Sequence, residues 1–223
     1  GTRDSLADTP PSRDFARRTM SREARRAQLV ASTIETLAAR GYSRITLTDV
    51  ARAAGLSHGL VLFHFESKEK LLAETLTFLA DEYRQNWQSA LAQAGESPAR
   101  QLNALLEADF DPAICTAERL AAWCSFWGEA QSRPLYQAVC GEKDDAYNLQ
   151  LELICQRLND EGGYDHDARR VARVIRTTIE GTWLDMMTMV VPYDRDEALA
   201  TVRTSAALCF PRHFDPSGLR RTG

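Results

Sequence analysis

The stretch ITLTDVARAAGLSHGLVLFHFESKEKLL, residues 45–72, decides how this chain is read. Thr46 or Thr48 can cap a helix whose apolar residues Val50, Ala51 and Ala54 recur at helical spacing. Gly55 follows where a left-handed residue would end that helix, Leu56 is pinned in the turn, and Ser57 offers a hydroxyl to start the next. Two helices joined this tightly cross at a steep angle. The second, from Ser57 to about His64, is expected to turn Val61, Leu62 and Phe65 inward and His58, Gly59, Leu60, Phe63 and His64 outward. That outer face is small, polar and aromatic, and no acid interrupts it before Glu66, as a surface entering a major groove between phosphates requires. The same spacing also fits a helical hairpin inside an ordinary bundle.

Charge separates the two alternatives. Residues 1–70 hold twelve basic and eight acidic side chains, a net of +4, whereas the remaining 153 residues hold 15 basic and 23 acidic, a net of −8. The whole-chain pI of about 5.6 hides a basic head on an acidic body, and phosphate binding by one end needs only the former.

Ala54-Gly55-Leu56-Ser57-x-Gly59, then Phe65-x-x-Lys68-Glu69-x-Leu71-Leu72, resembles the signature of TetR-type bacterial regulators. RAQLVASTIETLAARG, residues 26–41, and Ile45-Thr46 stand where that family has its first helix and the threonine entry to its second, so the resemblance covers residues 20–80. It implies an all-α protein with a helix-turn-helix head, and DNA contacts from Thr46, Ser57, His64 and Lys68. Arg25, Arg44, His58, Gly59 and Phe63 complete the candidate DNA-binding set: His58 occupies the early base-facing site, and Phe63 either packs or stacks on sugars and thymine methyls. One departure stands out. Leu62 occupies a position where the family very often has a tyrosine that bonds a phosphate, and leucine cannot do so.

Residues 1–20 are polar, contain Pro10-Pro11 and lack apolar periodicity, so a disordered basic arm is expected ahead of a head at 21–66. Arg17, Arg18, Arg22, Arg25 and Arg26 either reach DNA or form a solvated face. From Ser67 onward, Leu71, Leu72, Leu76, Leu79, Tyr83 and Trp87 trace one long amphipathic helix ending near Gly95. Further starts follow at Ser97-Pro98, Thr116, Pro134, Asp165 and Asp194, the last with Glu197 three residues on. About nine helices and no strands are expected, with a body at 67–211 and a tail at 212–223.

No apolar run approaches the ~18 residues needed to span a bilayer and no charged-then-apolar leader is seen, so a cytoplasmic protein with no membrane partner is expected. The cysteines at 115, 124, 140, 155 and 209 sit in apolar helical patterns and read as reduced thiols. Neither metal-ligand spacing nor a phosphate loop or nucleophile elbow is present, so no cofactor and no enzyme activity are expected.

The body is expected to dimerise and to bind a small molecule. A single helix-turn-helix contacts too few base pairs, so two heads pair across a two-fold axis onto half-sites ~34–36 Å apart or a multiple of this. Ile175, Thr178, Gly181 and Thr182 in one late helix, with Ala198, Val202 and Ala206 in the next, either form the dimer interface or pack within one subunit. Trp123, Phe126, Trp127, Tyr136 and Trp183 either fill the core or line a pocket. With Asp109, Asp111, Glu129 and Asp185 near them in sequence, such a pocket would favour a cation. Phe110-Asp111, Ala122-Trp123-x-x-Phe126-Trp127, Pro134-Leu135-Tyr136 and Ile179-Glu180-Gly181-x-Trp183-Leu184 are similar to the C-terminal domain of the BetI-like, choline-responsive branch of the family. That resemblance implies a palindromic operator released by a choline-like effector, with Asp111, Trp123, Phe126, Trp127, Tyr136 and Trp183 in the ligand site. The competing expectation is a helical homodimer, ligand-binding or enzymatic, that has lost DNA binding.

Overall fold

The structure, a computed structural model, describes residues 20–129 and 132–220 of the 223-residue chain. The arm carrying Arg17 and Arg18 lies outside the described residues. Nine helices are found among those described: α1 Arg22–Arg40, α2 Leu47–Ala54, α3 His58–Phe65, α4 Lys68–Gln93, α5 Pro98–Ala108, α6 Ala117–Gly128, α7 Arg133–Gly162, α8 Ala168–Thr188 and α9 Arg195–Cys209. None of them is long and apolar enough to cross a membrane.

Side-chain caps place most of the starts. Ser21, Ser57, Ser67, Ser97 and Thr116 each accept a backbone N–H from the third residue on, at 3.1–3.4 Å, supplying acceptors for amides the helix itself leaves unpaired. Thr46, not Thr48, caps α2, in a reciprocal capping box with Asp49. Helix α8 starts two residues later than Asp165 predicts, because Asp167 accepts the Arg170 N–H at 3.1 Å. Gly55 adopts φ 67°, ψ 31°, the left-handed stop that a tight helix-turn-helix requires.

Two apolar clusters form. One, inside the body, gathers Leu102, Leu106, Leu151, Ile154, Leu158, Ile175, Ile179 and Val202. The other belongs to the head but does not stop at residue 66: Leu29, Ile34, Leu37, Val50, Val61 and Phe65 are joined by Leu71, Leu72, Leu76 and Leu79 of α4 and by Ala122 and Phe126 of α6. The head is thus seated on the body by a shared core.

The end of the chain departs from the expected tail. Phe214–Asp215 and Gly218–Leu219 form a two-strand antiparallel hairpin, and Phe210 and Phe214 are fully buried in the body cluster. Two phenylalanines spaced four apart beyond Cys209 were the available signal; Pro211 between them hid it by ending the helix.

The dimer stripe also divides differently. Ile175, Thr182, Val202 and Ala206 are buried within the single chain, where α8 packs on α9. Ile175 and Thr182, two turns apart, and Val202 and Ala206, one turn apart, each share one helix face and are aimed at the neighbouring helix. Gly181 and the half-buried Thr178 lie about one hundred degrees around α8, next to exposed Val174 and Leu184. Leu208, 79% exposed, marks the corresponding outer face of α9.

Candidate functional site

In the head, α3 presents Ser57, His58, Gly59, Leu62 and Phe63 to solvent, with no acid in its first turn. Phe63 is 70% exposed, so its ring is not part of the core. Leu62 and His64 exchange the places expected of them: Leu62 is exposed, whereas His64 is buried. The helix is rotated so that Val61, His64 and Phe65 share the inner face, the i, i+3, i+4 set, and Leu62 falls outside it. His64 therefore lies under the surface, its Nδ1 without a hydrogen-bond partner, and burial together with Arg22, Arg26 and Arg25 lowers its pKa. A direct base contact from His64 is not what this burial provides.

Arg26 also has a role that sequence reasoning missed. Its guanidinium donates to the His64 carbonyl and to the Glu74 carboxylate and lies 4.3 Å from the centre of the Phe65 ring, tying α1 to the end of α3 and to α4. Thr48 Oγ1 and His58 Nδ1, 3.1 Å apart, fix α2 against the start of α3. Arg44 is exposed, Lys68 half-buried, and Arg25 donates to Gln28 at 2.8 Å. Glu66 closes α3 with φ 65°, ψ −39°; the Ser67 N–H reaches the Phe65 carbonyl at 2.7 Å across it, a strained three-residue turn that swings the chain into α4.

In the body, helices α4, α6, α7 and α8 surround a cavity of about 580 Å³. Four of the expected ligand residues, Trp123, Trp127, Tyr136 and Trp183, line it. Phe126 does not: it is buried in the head cluster, edge-on to Tyr42 at 5.8 Å. Asp111 does not line it either; its carboxylate accepts the Ala113 N–H at 2.9 Å and closes the turn after α5. The neighbouring acid is the one that matters. Asp109, 1% exposed, accepts hydrogen bonds from Tyr83 at 2.5 Å and Tyr147 at 2.8 Å, and its carbonyl accepts from the Trp183 indole at 3.2 Å. Burial pushes its carboxyl up to about 7 despite the two tyrosine hydrogen bonds, with Glu180 adding repulsion.

Across the cavity, Asp144 accepts from the Tyr136 hydroxyl at 2.7 Å, and burial raises its pKa too. Arg176, the one cation in the lining among the described residues, donates to Glu180 at 3.2 Å. Two carboxylates among aromatic rings are thus left without an ion pair among the described residues. Glu129 and Asp185 serve elsewhere, accepting from Ser43 and Tyr193. Tyr83 was legible only as part of an amphipathic stripe, and Asp144 and Tyr147 within the long α7 were not singled out at all, since an inward tyrosine in a helix reads as core until the packing partners are known. The cavity's Cys115 and Cys124 are free thiols whose pKa burial raises, Cys115 to about 11.

Helix α6 joins the two regions. Trp123 and Trp127 face the cavity, while Phe126 enters the head core and the Ser125 hydroxyl donates to the Leu37 carbonyl at the end of α1, at 3.2 Å.

Residues 29–75 match the family model "Bacterial regulatory proteins, tetR family", and residues 98–211 match "BetI-type transcriptional repressor, C-terminal". The chain is 30% identical over 191 residues to the HTH-type transcriptional regulator BetI of Paraburkholderia phymatum, covering 80% of this chain and 89% of that one. It is 28% identical over 176 residues to the BetI regulator of Pseudomonas paraeruginosa, covering 78% and 87%. A crystallised candidate transcriptional regulator from Pseudomonas aeruginosa PAO1 superposes with a TM-score of 0.74 at 22% identity, over 92% of this chain and all of that one, and so shares the fold. A helix-turn-helix joined through one helix to an aromatic cavity, both matched by family models, places the chain in the TetR family of bacterial transcriptional regulators, with a BetI-type C-terminal domain.

Proposed function

We propose that the protein is an effector-responsive repressor that grips a palindromic operator as a homodimer and releases it when a cationic small molecule fills the body cavity. The observation that carries this reading is the division of α6 between Trp123 and Trp127 in the cavity and Phe126 and Ser125 against the head. A ligand that moves the two indoles moves a helix docked on α1, and α4 supplies a second rigid link, from Lys68 beside α3 to the buried Trp87. The coupling is reciprocal: an effector that lowers operator affinity binds more weakly to the DNA-bound form.

DNA contact is assigned to the exposed Ser57, His58, Gly59 and Phe63, with Arg25, Arg44, Thr46 and Lys68 flanking them. His64 acts from beneath, holding α3 in place. The dimer face is assigned to the outer sides of α8 and α9, through Thr178 and the exposed Val174 and Leu208, and borders the cavity at Gly181 and Leu184, which also line it. The cation reading is supported by Asp109 and Asp144 among indole and phenol rings.

A gel shift of the purified protein on DNA upstream of its own and adjacent genes, run at several salt concentrations with and without cations, tests the reading. Specific binding that weakens steeply with salt and is released by a cation is the expected result. No specific shift would leave a ligand-binding dimer without DNA binding, an outcome to which the exposed Leu62, lacking the family's phosphate-bonding hydroxyl, would contribute.

A further inference from the structure

The cavity is large for a choline-sized effector. Its 580 Å³ is partly open to solvent, and the lining runs over residues of four helices, more wall than a compact quaternary ammonium can touch at once. Cavities of roughly 300–1,000 Å³ are those that enclose drug-sized molecules.

Its shape points the same way. Trp127 stands between Trp123 and Trp183, with centroids 5.9 and 6.4 Å away and ring planes inclined by only 26° and 20°. A compact ammonium is best held by aromatic faces converging on it from several directions. Three near-parallel indoles, each stacked on the next, make a stepped aromatic wall instead, whose free edges and part-faces run farther than a compact ammonium and offer packing to the rings of a larger ligand. Tyr83 stands across that wall, at 73° to Trp123 and 83° to Trp183, and closes one side.

The charge is likewise spread. Arg176 is engaged by Glu180, while Asp109 lies beyond the Tyr83 and Tyr147 hydroxyls and Asp144 sits a helical turn from Tyr147 on α7, bonded to Tyr136. Asp144, bonded to Tyr136, and Asp109, which a bound cation would hold ionised against its raised pKa, give a broad cation two acids reached through tyrosine hydroxyls.

Resting on the cationic-effector reading, we infer that the effector is a bulky, ring-bearing cation that packs along the Trp123–Trp127–Trp183 wall, with its charge between Asp109 and Asp144. Three of the chain's four tryptophans form the wall, so intrinsic fluorescence reports on its occupancy. The test titrates the full-length protein with tetraphenylphosphonium, with its neutral relative triphenylphosphine oxide, and with choline. Saturable quenching by tetraphenylphosphonium at least tenfold tighter than by either of the others is expected. Trp127→Ala should weaken it tenfold or more, and Asp144→Asn should weaken the phosphonium but not the oxide, each with an unchanged circular dichroism spectrum.

Tighter binding of choline than of tetraphenylphosphonium would overturn the size inference and leave the cation reading standing. Equal or tighter binding of the neutral oxide would overturn the cation reading itself. No saturable quenching by any of the three overturns both.

Discussion

The proposed recognition surface and the proposed effector cavity are built at opposite scales. The head's exposed surface comes from consecutive residues, Ser57 to Phe63, held by caps and a glycine stop that are themselves local. The cavity draws Tyr83, Trp127, Tyr147 and Trp183 from four different helices and Asp109 from the C-terminal cap of a fifth, and no short window contains two of its walls. A surface made by one helix has its residues and its ends written into that helix, though not the face it turns outward. A cavity is a property of packing, and its polar members are buried groups whose chemistry depends on what surrounds them. Helix α6 belongs to both, with Trp123 and Trp127 in the cavity and Phe126 in the head core, and the proposed regulation runs through it.

The sharpest way to break that comparison is to cut α6 on each face separately. Phe126→Ala empties a fully packed site in the head core and should cost about 3–5 kcal/mol in a urea titration. Trp127, 42% exposed, forms part of the cavity wall, and Trp127→Ala should cost far less while removing effector response. Equal stability losses would mean that the two faces are one core, and that α6 does not separate head from cavity.

The next test sets two aspartates against each other. Asp49, in the head's capping box, has its pKa lowered by hydrogen bonds from Thr46, whereas Asp109 is raised to about 7 by burial. The signs oppose. Asp49 contributes stability above its unfolded pKa, and that contribution is lost as pH falls through the lowered value. Asp109 is protonated in the fold at pH values where the unfolded chain is already ionised, so its contribution is present near pH 4 and lost as pH rises to about 7. The loss approaches ~1.4 kcal/mol per pH unit within that window, a few kcal/mol in all. Asp109→Asn should abolish this decline, so that the variant gains on the wild type between pH 5 and 7 and holds a constant difference above it. Parallel stability curves for the two proteins across that range would show that Asp109 is ionised in the fold.

The caps explain how much was readable beforehand. Ser57, Thr46 with Asp49, Ser67 and Asp194 with Glu197 each act on an amide three residues away, so the head and most helix starts follow from sequence spacing. The rotation of α3 did not follow. Its eight residues are apolar at Leu60, Val61, Leu62, Phe63 and Phe65, leaving no polar stripe to say which face is buried, and once Val61 and Phe65 enter the head core the i+3 position, His64, turns inward with them and Leu62 does not. The same limit applies in α6, where Trp123, Phe126 and Trp127 look alike in sequence and only packing sends Phe126 to the head.

Strain offers a smaller test on the head's side. Glu66 is the one non-glycine residue with positive φ among those described, at the joint between α3 and α4. Glu66→Gly removes that penalty and should raise the thermal midpoint by roughly 2–4 °C, the loss of the exposed Lys70 partner offsetting little of it. A lowered midpoint would show that the glycine's added freedom in the unfolded chain outweighs the relief, and that the joint is not strained.

The smallest effect on the fold is expected at Lys68, and there the comparison becomes a matter of binding alone. The residue opens α4 directly after the Ser67 cap and forms no ion pair among the described residues, so Lys68→Ala should leave the thermal midpoint within about a degree of wild type. If its ammonium neutralises one operator phosphate, the slope of log affinity against log salt falls by roughly one unit, and affinity drops evenly across operator variants because a phosphate carries no sequence information. Trp127→Ala gives the complementary pattern: effector response is lost and the slope is retained. A Lys68 variant with an unchanged slope would move the phosphate contact to Arg25 or Arg44, and a Trp127 variant with a reduced slope would mean that the cavity wall helps set the DNA-binding geometry even when empty, because α6 transmits its position to α1 through Phe126 and Ser125 whether or not a ligand is bound.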